Sequence, residues 1–129
     1  MARFSMSKEK FKNQWLRHFA KCVDKKVIEE HVKGQYIWHV FSFEHIKNEN
    51  LLVGDNARRA FDEADKSEVI CCDEYGREGV KDSLPVGCNT AEEIDKGAVE
   101  LYVVAKDYSW TYIKTHDCDL CGPYFYKNT

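Results

Sequence analysis

The segment that most restricts what this chain can fold into runs from Val99 to Tyr126. Val99–Ala105 and Ser109–Thr115 are short runs rich in β-branched and aromatic residues, separated by Lys106-Asp107-Tyr108. Two such runs around a short polar break predict a hairpin, and strands so nearly adjacent must pair antiparallel. After the second run comes a polar knot, His116-Asp117-Cys118-Asp119-Leu120-Cys121, followed by Gly122-Pro123-Tyr124-Phe125-Tyr126. The fold must therefore contain a sheet, and the remaining segments must cover it.

Those segments read mostly as helices. Phe11, Trp15, Phe19 and Cys22/Val23 recur at helical spacing, which predicts an amphipathic helix from about Ser7 with a lysine-rich outer side. Asp24 to Lys33 predicts a second helix, stopped at Gly34. Gln35 to Phe43 is dense in Tyr36, Ile37, Trp38, Val40 and Phe41, and predicts a central strand buried on both faces. Asp55 predicts the N-cap of a helix carrying Ala57, Ala60, Phe61 and Ala64. Glu68 to Asp73 predicts a strand, and Gly76 to Asn89 a loop. Thr90-Ala91-Glu92-Glu93 fits a capping box opening a short helix that ends near Gly97. The expected architecture is α+β: a two-layer sandwich of about four mixed or antiparallel strands, helices mainly on one face, and a C-terminal hairpin. With 129 residues, 43% hydrophobic and 32% charged, and no repeat or linker, residues 1–129 read as one domain.

Six cysteines in a small chain suggest disulfides only in an oxidising compartment. Met1 to Met6 does not read as a secretory leader. No apolar run approaches the roughly 18 residues of a membrane span. A cytoplasmic location with reduced thiols is expected, and no membrane partner. Cys22, Cys71 and Cys72 read as small buried hydrophobes.

Three segments carry a family resemblance: Ile37-Trp38-His39-Val40-Phe41-Ser42, Gly54-Asp55-Asn56-Ala57-Arg58-Arg59-Ala60-Phe61, and Asp107 to His116 followed by Gly122-Pro123-Tyr124-Phe125. With these the chain resembles a family of small bacterial proteins, the domain of unknown function numbered 4275. The resemblance spans nearly the whole chain and implies a bacterial cytosolic protein. It implies no activity, so it assigns no catalytic residue.

The charge distribution supports one functional reading above the others. Residues 1–33 carry nine Lys/Arg against four Asp/Glu, while the remainder carries ten against eighteen. The acidic block Asp62, Glu63, Asp65, Glu68, Asp73, Glu74 and Glu78 faces only Lys66 and Arg77 in sequence. Such blocks are usually solvated surface. The sharper reading is a non-enzymatic protein-binding module for a basic protein partner, of the kind an immunity protein uses to neutralise a toxin. Asp62, Glu63, Asp65 and Glu68 would dock. Trp110 and Tyr112 would anchor if their strand face were exposed and would be core if it were not. The lysine-rich first helix alone is a weak argument for nucleic acid, because the rest of the chain is acidic.

Two alternatives rest on the polar knot. His116-x-Cys118-x-x-Cys121 has zinc-ligand types at zinc-ligand spacing, with Cys88 as a fourth ligand only if folding brings it near. The plain reading is two cysteines in a turn and no cofactor. His39 and His116, on two expected strands, would meet if those strands paired. With Asp117 they would make an acid–base site for a hydrolase or nuclease. A histidine in so apolar a run is more often hydrogen-bonded core. Gly-x-Ser-x-Gly, a phosphate-binding glycine loop and His-Glu-x-x-His are all absent from the sequence, so an enzyme is the weaker expectation.

Overall fold

The structure is a computed structural model that describes residues 6–21, 23–29, 37, 39–42, 49–74, 80–116 and 122–128. Its sheet is antiparallel throughout. The strands are β1 (Leu51–Val53), β2 (Val69–Asp73), β3 (Val80–Lys81), β4 (Leu101–Ala105), β5 (Trp110–Lys114) and β6 (Tyr124–Lys127). They lie in the order β1-β6-β5-β4-β2-β3. The helices are α1 (Lys8–Phe19), α2 (Lys25–Val27), α3 (His39–Ser42), α4 (Asp55–Glu63) and α5 (Ala91–Gly97).

The expected hairpin is β4–β5, with Val103 opposite Tyr112 and Tyr102 opposite Ile113. Every residue of both strands is buried, because successive side chains enter opposite cores. Tyr102, Val104 and Ile113 join Phe11, Trp15 and Phe19 of α1 and Val40 and Phe41 of α3. Leu101, Val103 and Tyr112 join Ala57 and Phe61 of α4 and Ala91 and Ile94 of α5. The first core is pinned by a polar link: Trp15 Nε1 donates to Thr111 Oγ1 at 3.0 Å, and that hydroxyl donates to the Val103 carbonyl at 2.9 Å. In the second, Phe61 stacks on Tyr112 with ring centroids 4.4 Å apart.

This arrangement keeps the α+β class and corrects its details. Among the described residues the sheet has six strands rather than about four, and helices cover both faces rather than mainly one. The strand expected over Gln35–Phe43 is replaced, where residues are described, by α3, in which Val40 and Phe41 are 0% and 3% exposed. A dense apolar run buried on all sides has no period, so composition alone does not separate a buried helix from a buried strand. The added strands β1, β3 and β6 have three, two and four residues. They are too short to show alternation and are recruited by the neighbours that complete their hydrogen bonds. The capping box is present, with Glu93 N–H donating to Thr90 Oγ1 at 3.2 Å and Thr90 N–H to Glu93 Oε1 at 3.1 Å. The N-cap of α4 is Gly54 at φ 69° rather than Asp55, which sits one place later.

Candidate functional site

The two ends of β4 carry contrasting polar constellations. Beyond Ala105 the chain turns back. Tyr108 N–H donates to the Ala105 carbonyl at 2.8 Å, and Asp107 Oδ1 accepts from Ser109 N–H at 3.0 Å. Asp favours such a turn because its carboxylate caps the amide two residues on. Tyr108 sits at φ 59°, a conformation that disfavours a bulky residue. Contacts with α1 hold it there. Its ring stacks on His18 at 3.9 Å, and its hydroxyl donates to Gln14 Oε1 at 2.6 Å.

The segment joining α4 to β2 makes the same kind of turn, with Asp65 Oδ1 accepting from Ser67 N–H at 3.0 Å. Lys106 N–H donates to the Glu68 carbonyl at 3.2 Å and brings the two turns together. Between them lies a cleft of about 190 Å³ lined by Asp65, Glu68, Lys106, Asp107 and Trp110, with Ser67 and Ser109 at the turns. The amide and then the hydroxyl of Ser67 hold the Asp65 carboxyl below its ordinary value. The hydroxyl and then the amide of Ser109 do the same for Asp107. Both groups are therefore anionic at neutral pH. Lys66, the one lysine within this stretch of the acidic block, curls back on α4. Its ammonium donates to the carbonyls of Phe61, Asp62 and Ala64 at 2.8, 3.0 and 3.1 Å, a helix C-terminal cap by a cation.

At the other end of β4, Glu100 is 0% exposed. Its Oε2 accepts from the Tyr102 hydroxyl at 3.0 Å. Its Oε1 accepts from the His116 backbone N–H at 3.2 Å and lies 2.8 Å from His116 Nδ1. The His116 side chain is 27% exposed. Burial, and then the charges of Glu100 and Glu74, push the Tyr102 hydroxyl far above its ordinary pKa, so it stays a donor. Glu74 N–H donates to the Glu100 carbonyl at 3.1 Å. Lys12 Nζ meets Glu74 Oε1 at 2.6 Å, and Lys8 Nζ donates to the Glu74 carbonyl at 3.0 Å. Lys114, 7% exposed, donates to the Ala98 carbonyl.

The acidic block is thus two features. Asp65 and Glu68 rim the cleft, while Glu74, at the far end of β2, is neutralised by α1. Asp62 is a tether: its Oδ1 accepts from Ala91 N–H at 2.8 Å and joins α4 to the start of α5. That leaves Arg58 to pair with Asp55 and Asp95, both at 2.8 Å, instead of with Asp62 one turn on. Glu63 is exposed at the end of α4. Trp110, 8% exposed, stacks on Phe125 with centroids 5.5 Å apart and forms part of the cleft wall. Tyr112 is 0% exposed beneath Phe61, so it belongs to the core and is not presented to a partner.

His39 lies on α3, and His116 follows β5. Among the described residues no strand pairing joins them. Asp117, Cys118, Cys121 and Cys22 lie outside the described residues. Cys88 packs in the α4/α5 core, its Sγ 3.6 Å from the position a Cβ at Gly97 would take. Glu100, by contrast, accepts from Tyr102, whose ring packs in the α1 core. Among the described residues no group of three or more His, Cys, Asp and Glu is placed to hold a metal ion. Burial pushes the Cys71 and Cys72 thiols up to about 12, as befits inert core residues.

Sequence reasoning passed over Asp107 and Glu100. Asp107 carried a usable signal, an Asp two residues before a Ser in a hairpin break. Glu100 carried none, because a Glu at a strand start reads as exposed until the tertiary fold buries it.

A family model described as "Domain of unknown function (DUF4275)" matches residues 2–125. The chain belongs to that family. No curated protein matches it. No solved structure matches it. No helix among the described residues is long and apolar enough to cross a membrane.

Proposed function

We propose that this member of the DUF4275 family is a non-enzymatic docking protein whose acidic cleft receives a basic side chain of a protein partner. The observation that carries the reading is the convergence of Asp65, Glu68 and Asp107 on one cleft walled by Trp110. Three carboxylates face one lining cation, Lys106. At about 190 Å³ the cleft is smaller than the roughly 300–1,000 Å³ typical of small-molecule and cofactor sites. It is the right kind of space for one long side chain. An aromatic wall with carboxylates above it suits a guanidinium, which stacks on the ring and donates to the oxygens. A toxin nuclease with a cationic active site is the partner class with this chemistry, the carboxylates standing in for substrate phosphates. Such a partner places the protein in the cytoplasm beside it and gains speed from charge steering.

Affinity capture from native lysate, comparing wild type with the Asp65→Lys/Asp107→Lys pair, tests the reading. Wild type is expected to retain a basic protein at low salt. The variant loses it, as does wild type at 1 M salt, where the Debye length falls to about 3 Å. Identical captures from both proteins would sink the proposal.

A further inference from the structure

We propose, resting on the reading that the acidic cleft receives a basic side chain, that in the absence of another partner it takes Arg17 of a second copy of this chain, and that two copies so joined close into a symmetric dimer. The structural basis is where α1 ends. The helix runs along the sheet from one end of β4 to the other. Near its start, Lys8 and Lys12 bond Glu74, whose amide donates to the Glu100 carbonyl. Towards its other end, Gln14 and His18 hold Tyr108, in the turn that follows Ala105. Arg17 stands one turn on from Gln14 and lines the same groove on the outside of the helix. Lys21 follows the helix end. Arg17 and Asp107 therefore come to the same end of the sheet, linked through Gln14 and Tyr108.

The two sets of charge are complementary and exposed. Arg17 and Lys21 face solvent, as do Asp65, Glu68 and Asp107. Among the described residues none of them makes an ion pair within the chain, whereas Lys12 pairs with Glu74 and Arg58 with Asp55 and Asp95. Their adjacency decides the kind of assembly. Complementary patches far apart on a surface join copies head to tail, and the series of contacts stays open unless its rotation closes a ring. Patches side by side allow a two-fold axis between them. Each patch of one copy then meets the opposite patch of the other, and the contact closes after two copies. Arg17 of each copy enters the other's cleft, where carboxylates accept its N–H groups and Trp110 supplies an aromatic wall. Lys21 adds to the positive potential that guides the approach. A polyanion such as nucleic acid is the other ligand class for an exposed Arg17–Lys21 face, and the carboxylates beside it disfavour that occupant.

The test is sedimentation equilibrium of purified full-length protein. Wild type is expected to dimerise at low salt, with a dissociation constant raised about tenfold or more at 1 M salt. Arg17→Glu alone and Asp65→Lys/Asp107→Lys alone are each expected to be monomeric, because every contact then sets like charge on like. Mixed in equal amounts, the two variants are expected to form a heterodimer. The acidic cleft of the first takes Arg17 of the second, and the reversed side chain of the first meets the reversed cleft of the second. All three substituted side chains are exposed, so the fold is expected to survive each change. A wild type that stays monomeric at low salt, a dimer that persists in Arg17→Glu, or a mixture that stays monomeric overturns the proposal. Lysate capture separates this outcome from the reading beneath it. A basic protein retained by Arg17→Glu and lost by Asp65→Lys/Asp107→Lys keeps the docking cleft even where the dimer fails.

Discussion

The two ends of β4 hold carboxylates in opposite ways. At the Ala105 end, Asp65 and Asp107 are exposed, and each is bonded to the residue two places on. At the Glu100 end, one carboxylate is removed from water and accepts from Tyr102 and His116. The first arrangement leaves charge available to an outside cation at little energetic risk. The second uses charge to fix other side chains, and it fails badly if a partner is lost, because a buried polar group without its bond bears the full desolvation penalty. A docking surface can therefore be sought where carboxylates are exposed and locally held. A site needing fixed geometry can be sought where one is buried.

The sharpest way to break this contrast is Glu100→Ala. It takes the Glu100 carboxylate from the Tyr102 hydroxyl and from His116 and is expected to destabilise the fold by about 3–5 kcal/mol, read from urea unfolding. A loss below about 1 kcal/mol would make the two ends equivalent. Tyr102→Phe removes a single donor to Glu100. It should cost about 1–3 kcal/mol by the same measurement, as expected for a bond to a charged group.

The strand between the ends offers a check on burial. Cys71 and Cys72, with thiols pushed up to about 12, are expected to resist iodoacetamide at pH 8 in the folded protein and to react in denaturant. Labelling at equal rates in both states would contradict the core.

The smallest effect is expected at the cleft. Asp65→Asn/Asp107→Asn should leave neutral-pH unfolding close to wild type. The folded values of both carboxyls are depressed, so whatever stability their ionised forms add is present above the ordinary carboxylate range. It is lost as pH falls through the depressed folded values. The gap between wild type and variant should therefore close below about pH 4, in thermal melts taken across that range. A gap that widens there would reverse the assignment.

How much of this was legible in the sequence follows from how local each cause is. The α1 stripe of Phe11, Trp15 and Phe19, the Thr90–Glu93 capping box and the β4–β5 hairpin depend on residues within a few positions of one another. Spacing alone specifies them. The helix at Val40–Phe41 was misread because a segment surrounded by apolar neighbours on every side carries no period. The strands β1, β3 and β6 were missed because strands of two to four residues exist only through their partners.

The candidate sites divide along the same line. The acidic block was visible as composition, and the His116–Cys118–Cys121 spacing as a motif. Tertiary folding alone set Asp65 beside Asp107 and turned Asp62 and Glu74 to internal bonds. It also placed Trp110 at the cleft wall while burying Tyr112, and sank Glu100 beneath His116. The physical reason is that periodicity and capping are short-range and are written into neighbouring residues. The burial of a charge, and its choice between an internal partner and an external one, depends on which distant elements the packed sheet brings to it.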